Sequence, residues 1–236
     1  MKTDEIAKIF TSSPAENDVL FMFLGYSGVI IKTSKGTIII DPADLLKDKE
    51  LETLKTGGLN LMLFTHSHDD HFRHKDALAL YKATGASVIA DPSVYSILQG
   101  EIPSNKLIST TPGKTNTMGE MTVTAIKGSH VGSISLFQIK IEDLGVFHGG
   151  DSGYVSVKDY PSDLAFLPAG DPSPTASPQA AFDMASDLRP SVIVTMHGSM
   201  GQFKEFERKI KEKMPKTTVI IPEPYVLKSV TLRKRT

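Results

Sequence analysis

The chain has 236 residues, of which 40% are hydrophobic and 22% charged, so it has enough apolar chain to bury a core. This composition excludes collagen-like, coiled-coil and wholly disordered proteins. Its 26 Lys and Arg against 27 Asp and Glu give a net charge of −1, without the basic excess typical of nucleic-acid-binding proteins. We therefore expect no nucleic-acid partner and interpret the basic segment Arg233-Lys234-Arg235 as solvated surface.

The sequence contains no cysteine, which excludes disulfides and leaves nitrogen and oxygen ligands for any metal ion. The segment from Met1 to Glu5 does not resemble a signal peptide, because the apolar run that follows is brief. No stretch approaches the roughly 18 uninterrupted apolar residues that a membrane span needs. We expect a cytoplasmic protein without a membrane span.

Predicted strands dominate the first third of the chain. Three β-branched or aromatic runs, separated by Gly and turn residues, predict antiparallel hairpins. A fourth, continuous apolar run predicts a strand buried on both faces. These strands cover residues 19–24, 29–33, 37–40 and 59–64.

Helices and strands alternate in the rest of the chain. A helical period around residues 77–81 ends at Gly85, and Ser177 with Pro178 predicts the start of a second helix. Further helices are predicted at 92–98 and 202–213, and strands at 87–90, 121–126, 134–141, 146–147, 164–167, 191–196, 217–221 and 225–232. Two sheets packed face to face, each covered outside by helices, suit this order. We therefore predict an α/β (α+β) fold in one domain, 1–236.

A dense group of histidines and aspartates directly follows the predicted strand 59–64. His66 and His68 are two positions apart, so in extended backbone both side chains point to the same side and can chelate one ion. Asp70 and His71 can face a second ion where the chain turns. Closely packed imidazoles and carboxylates are costly unless a cation compensates them. The cluster therefore predicts a metal site.

Other titratable residues lie at the ends of later predicted strands. His130 lies in a loop of small residues after the strand 121–126, and His197 ends the strand 191–196. Asp151 follows two glycines that permit close backbone approach to a site. Functional groups gather at such strand ends, so these three residues are candidates for the same site.

The run His66-Ser67-His68-Asp69-Asp70-His71 resembles the H-x-H-x-D-H signature of the metallo-β-lactamase fold superfamily. His130, Asp151 and His197 follow in the order that this superfamily uses. Segments 25–28, 39–42, 163–168 and 195–198 resemble the branch of small metal-dependent hydrolases that includes ascorbate-6-phosphate lactonase and the phospholipase D acting on N-acyl-ethanolamine lipids. The resemblance covers most of the chain and implies a four-layer αββα sandwich.

The resemblance also implies a site for two divalent metal ions, with zinc favoured and manganese or iron as alternatives. Each ion has three ligands of its own, and one carboxylate bridges both. The implied ligands are His66, His68 and His130 for the first ion, Asp70, His71 and His197 for the second, and Asp151 as the bridge. Asp41 is implied as an outer carboxylate that orients a ligand imidazole.

The implied activity is hydrolysis of an ester, lactone or phosphodiester bond of a small molecule by a hydroxide that the two metals activate. Asp70 is the expected catalytic residue, because its second oxygen can orient that hydroxide. The loop 170–175 is expected to border the substrate pocket. No separate general acid is assigned; His148 is a candidate for it, although a structural hydrogen bond is the favoured role. His74 and Asp69 are interpreted as surface residues.

Several alternatives are weighed against this hydrolase. A diiron redox site would carry Glu in place of His68 and a flavin domain, so it is not expected. Glyoxalase-type thioester hydrolysis is not excluded, and association into a homo-oligomer is left open. The alternative to an enzyme is a non-catalytic metal-binding scaffold or sensor with the same fold. The presence of all seven implied ligands favours catalysis.

Overall fold

The computed structural model describes residues 2–232, which form two compact units. The N-terminal unit comprises the described residues up to Thr110 together with Glu223–Thr231, and the C-terminal unit comprises Thr111–Pro222 and Leu232. The basic segment 233–235 lies outside the described residues. One domain over residues 1–236 stays a prediction.

Fourteen strands and six helices alternate along the described residues. The strands are β1 (Asp18–Gly25), β2 (Gly28–Thr33), β3 (Gly36–Ile40), β4 (Leu59–Phe64), β5 (Ser87–Ala90), β6 (Leu107–Ser109), β7 (Thr115–Met118), β8 (Met121–Lys127), β9 (Ser135–Ile141), β10 (Leu144–His148), β11 (Leu164–Pro168), β12 (Val192–Met196), β13 (Thr218–Ile220) and β14 (Leu227–Thr231). The helices are α1 (Lys2–Thr11), α2 (Asp48–Gly57), α3 (His74–Thr84), α4 (Pro92–Leu98), α5 (Pro178–Leu188) and α6 (Met200–Lys213).

The N-terminal unit contains a seven-stranded sheet in the order β14-β1-β2-β3-β4-β5-β6. Strands β1, β2 and β3 form the predicted antiparallel hairpins, whereas β3 to β6 run parallel to one another. The carboxyl ends of β3, β4 and β5 therefore lie at one edge of the sheet. Asp41, Thr65 and Asp91 follow these three ends directly, and this edge of a parallel sheet is where functional groups commonly collect.

Helices α1 to α4 share a core with this sheet. Ile6 and Ile9 of α1 and Leu54 of α2 are fully buried in one cluster with Met62 and Phe64 of β4. Burial of such side chains is the main favourable contribution to folding, at about 25 cal/mol for each Å² of apolar surface removed from water. The core therefore fixes the position of β4, whose end carries the histidine cluster.

The C-terminal unit contains a second seven-stranded sheet, in the order β13-β12-β11-β10-β9-β8-β7. Strands β10 to β13 are parallel, and β7 to β10 are antiparallel. Because β8 and β10 are both antiparallel to β9, they run in the same direction. The carboxyl ends of β8, β10, β11 and β12 thus lie at one edge of this sheet, where His130, Asp151 and His197 follow.

Helices α5 and α6 of this unit begin at capping residues that their sequences provide. Ser177 accepts a hydrogen bond from the Ala180 amide and Pro178 occupies the first turn of α5, as predicted. Ser199 and Gln202 form a capping box at the start of α6. Both helices contribute to one core with the sheet, through Met184, Leu188 and Phe206 among others.

The predicted α/β (α+β) class is confirmed, because each unit combines a sheet with helices. Helices α1 and α2 and strands β6 and β7 were not expected, since both helical segments are rich in charged residues and the two strands have only three and four residues. Among residues 2–232, no helix combines the length and the hydropathy needed to cross a bilayer.

Candidate metal centre

Four side chains of the N-terminal unit, His66, His68, Asp70 and His71, form what we call the N-terminal cluster. The backbone turns directly after β4, because the amide of His71 donates to the carbonyl of His68 over 2.9 Å. The ring of His66 lies 4.5 Å from that of His68 and 4.1 Å from that of His71, measured between centroids. His66 and His71 are buried, whereas His68 is exposed and 27% of the Asp70 side chain is accessible.

A buried carboxylate, Asp41, supports two members of this cluster. Its side chain is fully buried and accepts hydrogen bonds from the Thr65 amide, at 2.8 Å, and from the Thr65 hydroxyl. The same carboxylate lies 2.8 Å from Nδ1 of His71. The Thr65 hydroxyl in turn lies 3.1 Å from Nδ1 of His66. Asp41 and Thr65 together therefore hold both buried imidazoles.

This network fixes the tautomers of both imidazoles. An ionised carboxylate only accepts hydrogen bonds, so Nδ1 of His71 carries the proton that it shares with Asp41. The single proton of the Thr65 hydroxyl goes to Asp41, so Nδ1 of His66 must also be the donor. When the two rings are neutral, the lone pair of each is therefore on Nε2. A neutral Nε2 is the form in which histidine binds a metal ion.

The N-terminal cluster has the donor spacing of metal ligands. His66 and His68 offer ligand atoms within 4.8 Å of each other, and so do Asp70 and His71. Oδ2 of Asp70 lies 3.7 Å from Nε2 of His71, beyond a good hydrogen bond. Two ligands of one tetrahedral zinc ion lie roughly 3.3–3.6 Å apart, given metal–ligand distances of about 2.0–2.2 Å. A lone pair that faces a carboxylate is repelled unless a cation or a proton lies between them, so this donor set fits a divalent ion.

Three side chains of the C-terminal unit, His130, Asp151 and His197, form the C-terminal cluster. Their side chains are almost completely buried, with at most 3% of each exposed. Oδ2 of Asp151 lies 3.4 Å from Nε2 of His130 and 4.0 Å from Nε2 of His197. One carboxylate oxygen thus faces two imidazole nitrogens at distances beyond a good hydrogen bond, and the 3.4 Å spacing to His130 matches that of two ligands of one ion. This donor set also fits a divalent ion.

The His130 loop is tied to the segment that carries Asp151. The Ser129 amide donates to the Ser152 hydroxyl over 2.8 Å, and the Gly153 amide donates to the Ser129 carbonyl over 2.8 Å. These bonds hold the two loops side by side beyond the ends of β8 and β10. His130 and Asp151 are brought together for this reason, although they are 21 positions apart in the sequence.

Two residues, one beside the N-terminal cluster and one within the C-terminal cluster, have a left-handed backbone conformation. Asp41 has φ of 45° and His197 has φ of 47°, a region that side chains other than glycine seldom adopt. Such conformations cost about 1–3 kcal/mol each and tend to occur at functional sites. In both cases the residue directly follows a parallel strand, where the chain must turn sharply for the side chain to remain buried.

Three further residues and one loop had been assigned roles from the sequence. His148 is fully buried, and its Nδ1 accepts a hydrogen bond from the Gly150 amide, as expected for a structural residue. His74 and Asp69 lie on the surface, where they pair with Glu101 and Arg73 respectively. Within the C-terminal unit, the loop 170–175 contacts members of the C-terminal cluster.

Sequence reasoning missed the supporting hydroxyls of Thr65, Ser173 and Thr175. The sequence gives one indication for Thr65, which lies between a buried strand and the first histidine of the cluster. Ser173 and Thr175 had none, because their partners Asp151 and His130 are 22 and 45 positions away in the sequence. Hydroxyl residues in a Pro- and Gly-rich loop are ordinary turn formers, and only the fold shows their partners.

A family model described as the beta-lactamase superfamily domain matches residues 21–197, which include both clusters and Asp41. A UPF0173 metal-dependent hydrolase of Rubrobacter xylanophilus is 31% identical over 221 residues, covering 80% of this chain and 88% of that protein. The matched region therefore spans most of both chains.

Two solved structures, of a metallo hydrolase and of a metallo-beta-lactamase fold protein, resemble this chain in fold. Igni18, a metallo hydrolase from the hyperthermophilic archaeon Ignicoccus hospitalis, superposes with a TM-score of 0.75 at 23% identity, covering 90% of this chain and 98% of that one. The metallo-beta-lactamase fold protein YhfI from Bacillus subtilis gives a TM-score of 0.70 at 15% identity, covering 90% of this chain and all of that one. These likenesses confirm the predicted fold type.

Proposed function

The chain belongs to the beta-lactamase superfamily and is a metal-dependent hydrolase, and we propose that its N-terminal and C-terminal clusters together bind two divalent metal ions. Each ion is held by three ligands of its own, with one carboxylate shared. The proposed ligands are His66, His68 and His130 for the first ion, Asp70, His71 and His197 for the second, and Asp151 as the bridge. Asp41 orients His71 without binding metal.

The observation that carries this proposal is the state of the imidazoles within each unit. The rings of His66 and His71 are held through Nδ1 by oxygen acceptors, which leaves Nε2 as the donor atom toward a metal. In the C-terminal unit, Nε2 of His130 and of His197 face one oxygen of Asp151.

We propose zinc as the metal, since nitrogen-rich sites with carboxylates suit it; manganese and iron also accept such ligands. Bound divalent ions supply a water of lowered pKa near neutral pH and polarise the bond that is cleaved. The side chain of Asp70 has 27% of its surface exposed while Oδ2 faces His71. Its other oxygen would therefore be able to orient the attacking water.

The proposed reaction is hydrolysis of an ester, lactone or phosphodiester bond in a small molecule. The relatives named as metal-dependent hydrolases support hydrolysis, and the chain's net charge of −1 gives no support to a polyanionic partner. The loop 170–175 is proposed to border the substrate.

The first experiment joins elemental analysis to a hydrolysis screen. Protein purified without added metal should contain about two transition-metal ions per chain, and it should cleave at least one of a lactone, a phosphodiester, a thioester and a β-lactam. Replacing His66 and His68 together with Ala should remove the first ion and abolish turnover. His74→Ala is the matched control, because this exposed histidine pairs with Glu101 outside the cluster, and it should retain metal and activity.

Two outcomes would contradict the proposal in different ways. Full metal loading without cleavage of any of these bonds would favour the non-catalytic scaffold or sensor. Turnover that persists in the His66 and His68 double variant would show that the assigned ligands do not carry the chemistry.

A further inference from the structure

A single loop of the C-terminal unit, residues 169–176, contacts all three members of the C-terminal cluster; we call it the supporting loop. The amides of Ala169 and Gly170 donate to the carbonyl of His197 over 3.0 and 2.8 Å. The hydroxyl of Ser173 donates to the carbonyl of Asp151 over 2.6 Å. Two of the three cluster residues are therefore held through their backbone.

Thr175 contacts the third member through its side chain. Its hydroxyl oxygen lies 3.0 Å from Nδ1 of His130 and 3.2 Å from the carbonyl oxygen of Asp151. Thr175 is thus the residue of the supporting loop that bonds to a ligand imidazole and to the neighbouring ligand's backbone at the same time. It lies close because Gly153 opposite has no side chain: a Cβ there would be only 2.9 Å from the Thr175 carbonyl oxygen.

The proton of the Thr175 hydroxyl can be assigned from its surroundings. The carbonyl of Asp151 only accepts hydrogen bonds, and the hydroxyl of Ser173 already accepts from the amides of Thr175 and Ala176. Nδ1 of His130 can either donate or accept, so only a Thr175 proton directed at the carbonyl of Asp151 makes both contacts of the hydroxyl, at 3.2 and 3.0 Å, hydrogen bonds. The oxygen of Thr175 is then an acceptor toward His130, so Nδ1 of His130 carries the ring proton and Nε2 carries the lone pair.

We propose that Thr175 is a positioning residue that fixes His130 as its Nδ1–H tautomer and aims Nε2 at Oδ2 of Asp151, the pair separated by 3.4 Å. This inference rests on the proposed function, since it treats His130 and Asp151 as metal ligands. The same hydroxyl ties the His130 ring to the backbone of the bridging carboxylate. Thr175 therefore sets the spacing of two ligands from different strands.

Loss of the hydroxyl should weaken metal binding. Thr175→Val keeps the volume and the branched shape of the side chain but offers His130 no acceptor, which frees the ring to rotate or to change tautomer. Removing such a supporting hydrogen bond typically costs 10–100-fold in metal affinity. Thr175→Ser restores the hydroxyl and should bind metal nearly as well as the wild type.

The first test is a zinc competition titration of the full chain against a chromophoric chelator. The wild type should bind two ions, Thr175→Val should bind one of them about 10–100-fold more weakly, and Thr175→Ser should recover the affinity. Equal affinity of the wild type and Thr175→Val would overturn the inference, and so would an equal loss in Thr175→Val and Thr175→Ser. A wild type that binds no zinc would instead contradict the proposed function.

The second test reads the tautomer directly and needs neither metal nor activity. In ¹⁵N spectra of the metal-free wild type, the ring of His130 should be protonated on Nδ1, with the signals assigned by their loss in His130→Gln. In Thr175→Val the Nε2–H form should gain population. A wild-type His130 ring protonated on Nε2 would refute the role of Thr175, even if the variant failed to fold.

Discussion

At the scale of single residues, the candidate ligands depend on acceptors that do not themselves bind metal. Asp41 accepts from His71, Thr65 from His66 and, in the C-terminal unit, Thr175 from His130. Each acceptor leaves Nε2 as the ring nitrogen that is proposed to coordinate metal. The support for metal binding therefore comes from three oxygen groups of different kinds, each placed by a neighbouring strand end or loop.

Asp41 offers the sharpest test at this scale. Asp41→Asn keeps the shape of the side chain but replaces one of its two acceptor oxygens with an NH₂ group. Three donors then face a single carbonyl oxygen and an amide group, so at least one buried hydrogen bond is lost. We expect a loss of about 1–3 kcal/mol in the free energy of unfolding of the metal-free protein, measured by urea denaturation. Metal affinity should fall about 10–100-fold through the disturbed His71.

The matched control is Asp91→Asn, the same change at the end of the neighbouring strand β5. Asp91 is also buried, and it caps α4 by accepting from the Ser93 amide over 2.9 Å. Asn caps helices about as well as Asp, so this variant should bind metal like the wild type. Equal metal affinity in Asp41→Asn and the wild type would show that Asp41 does not orient a ligand.

At the scale of elements, helix α6 carries charges whose effect on stability depends on pH. Glu207 accepts from Lys211 at 2.9 Å and from Lys204 at 3.0 Å. The hydrogen bond from Lys211, and after it that from Lys204, holds the pKa of the Glu207 carboxyl below its ordinary value. Because the folded pKa is the lower one, the stabilisation is complete above the unfolded pKa and is lost as pH falls through the folded pKa.

Glu207→Gln should therefore destabilise the protein at pH 7 and have no effect once Glu207 is protonated. The expected difference is roughly 0.5 kcal/mol or less, since both lysines are exposed and solvent screens the pairs. Urea denaturation of both proteins at pH 7 and near pH 3 measures it, and added salt should reduce the difference at pH 7. A difference that grows on acidification would contradict this assignment of the ion pairs.

The elements also show what the sequence could predict. Strand β4 and helices α4 and α5 occur at the predicted residues, because a continuous apolar run or a clear cap marks each of them. Helix α1 escaped prediction although Ile6 and Ile9 are buried, since its apolar residues are confined to one half of a short charged segment and give little periodicity. Strand β7 carries the polar run Thr115–Met118, which is recognisable only from its pairing with β8.

At the scale of the whole molecule, two sheets present histidines and aspartates at the carboxyl ends of their strands. The sequence predicted the fold class, which is confirmed, whereas the metal ligands and the role of Asp41, which the family resemblance implied, stay predictions. Thr65, Ser173 and Thr175 could not be predicted, because a hydroxyl gains its role only from the partner that folding brings to it. Each unit has its own core, and each contributes part of the proposed ligand set.

The most direct test is a crystal structure of the zinc-loaded protein with anomalous data collected above and below the zinc edge. Two anomalous peaks should appear, one bound by His66, His68 and His130, the other by Asp70, His71 and His197, with Asp151 contacting both. The Nδ1 atoms of His66, His71 and His130 should keep their bonds to Thr65, Asp41 and Thr175. The proposed metal centre would be contradicted if the zinc in a fully loaded crystal lay away from either cluster. It would also be contradicted if the zinc were bound through Nδ1 of these histidines.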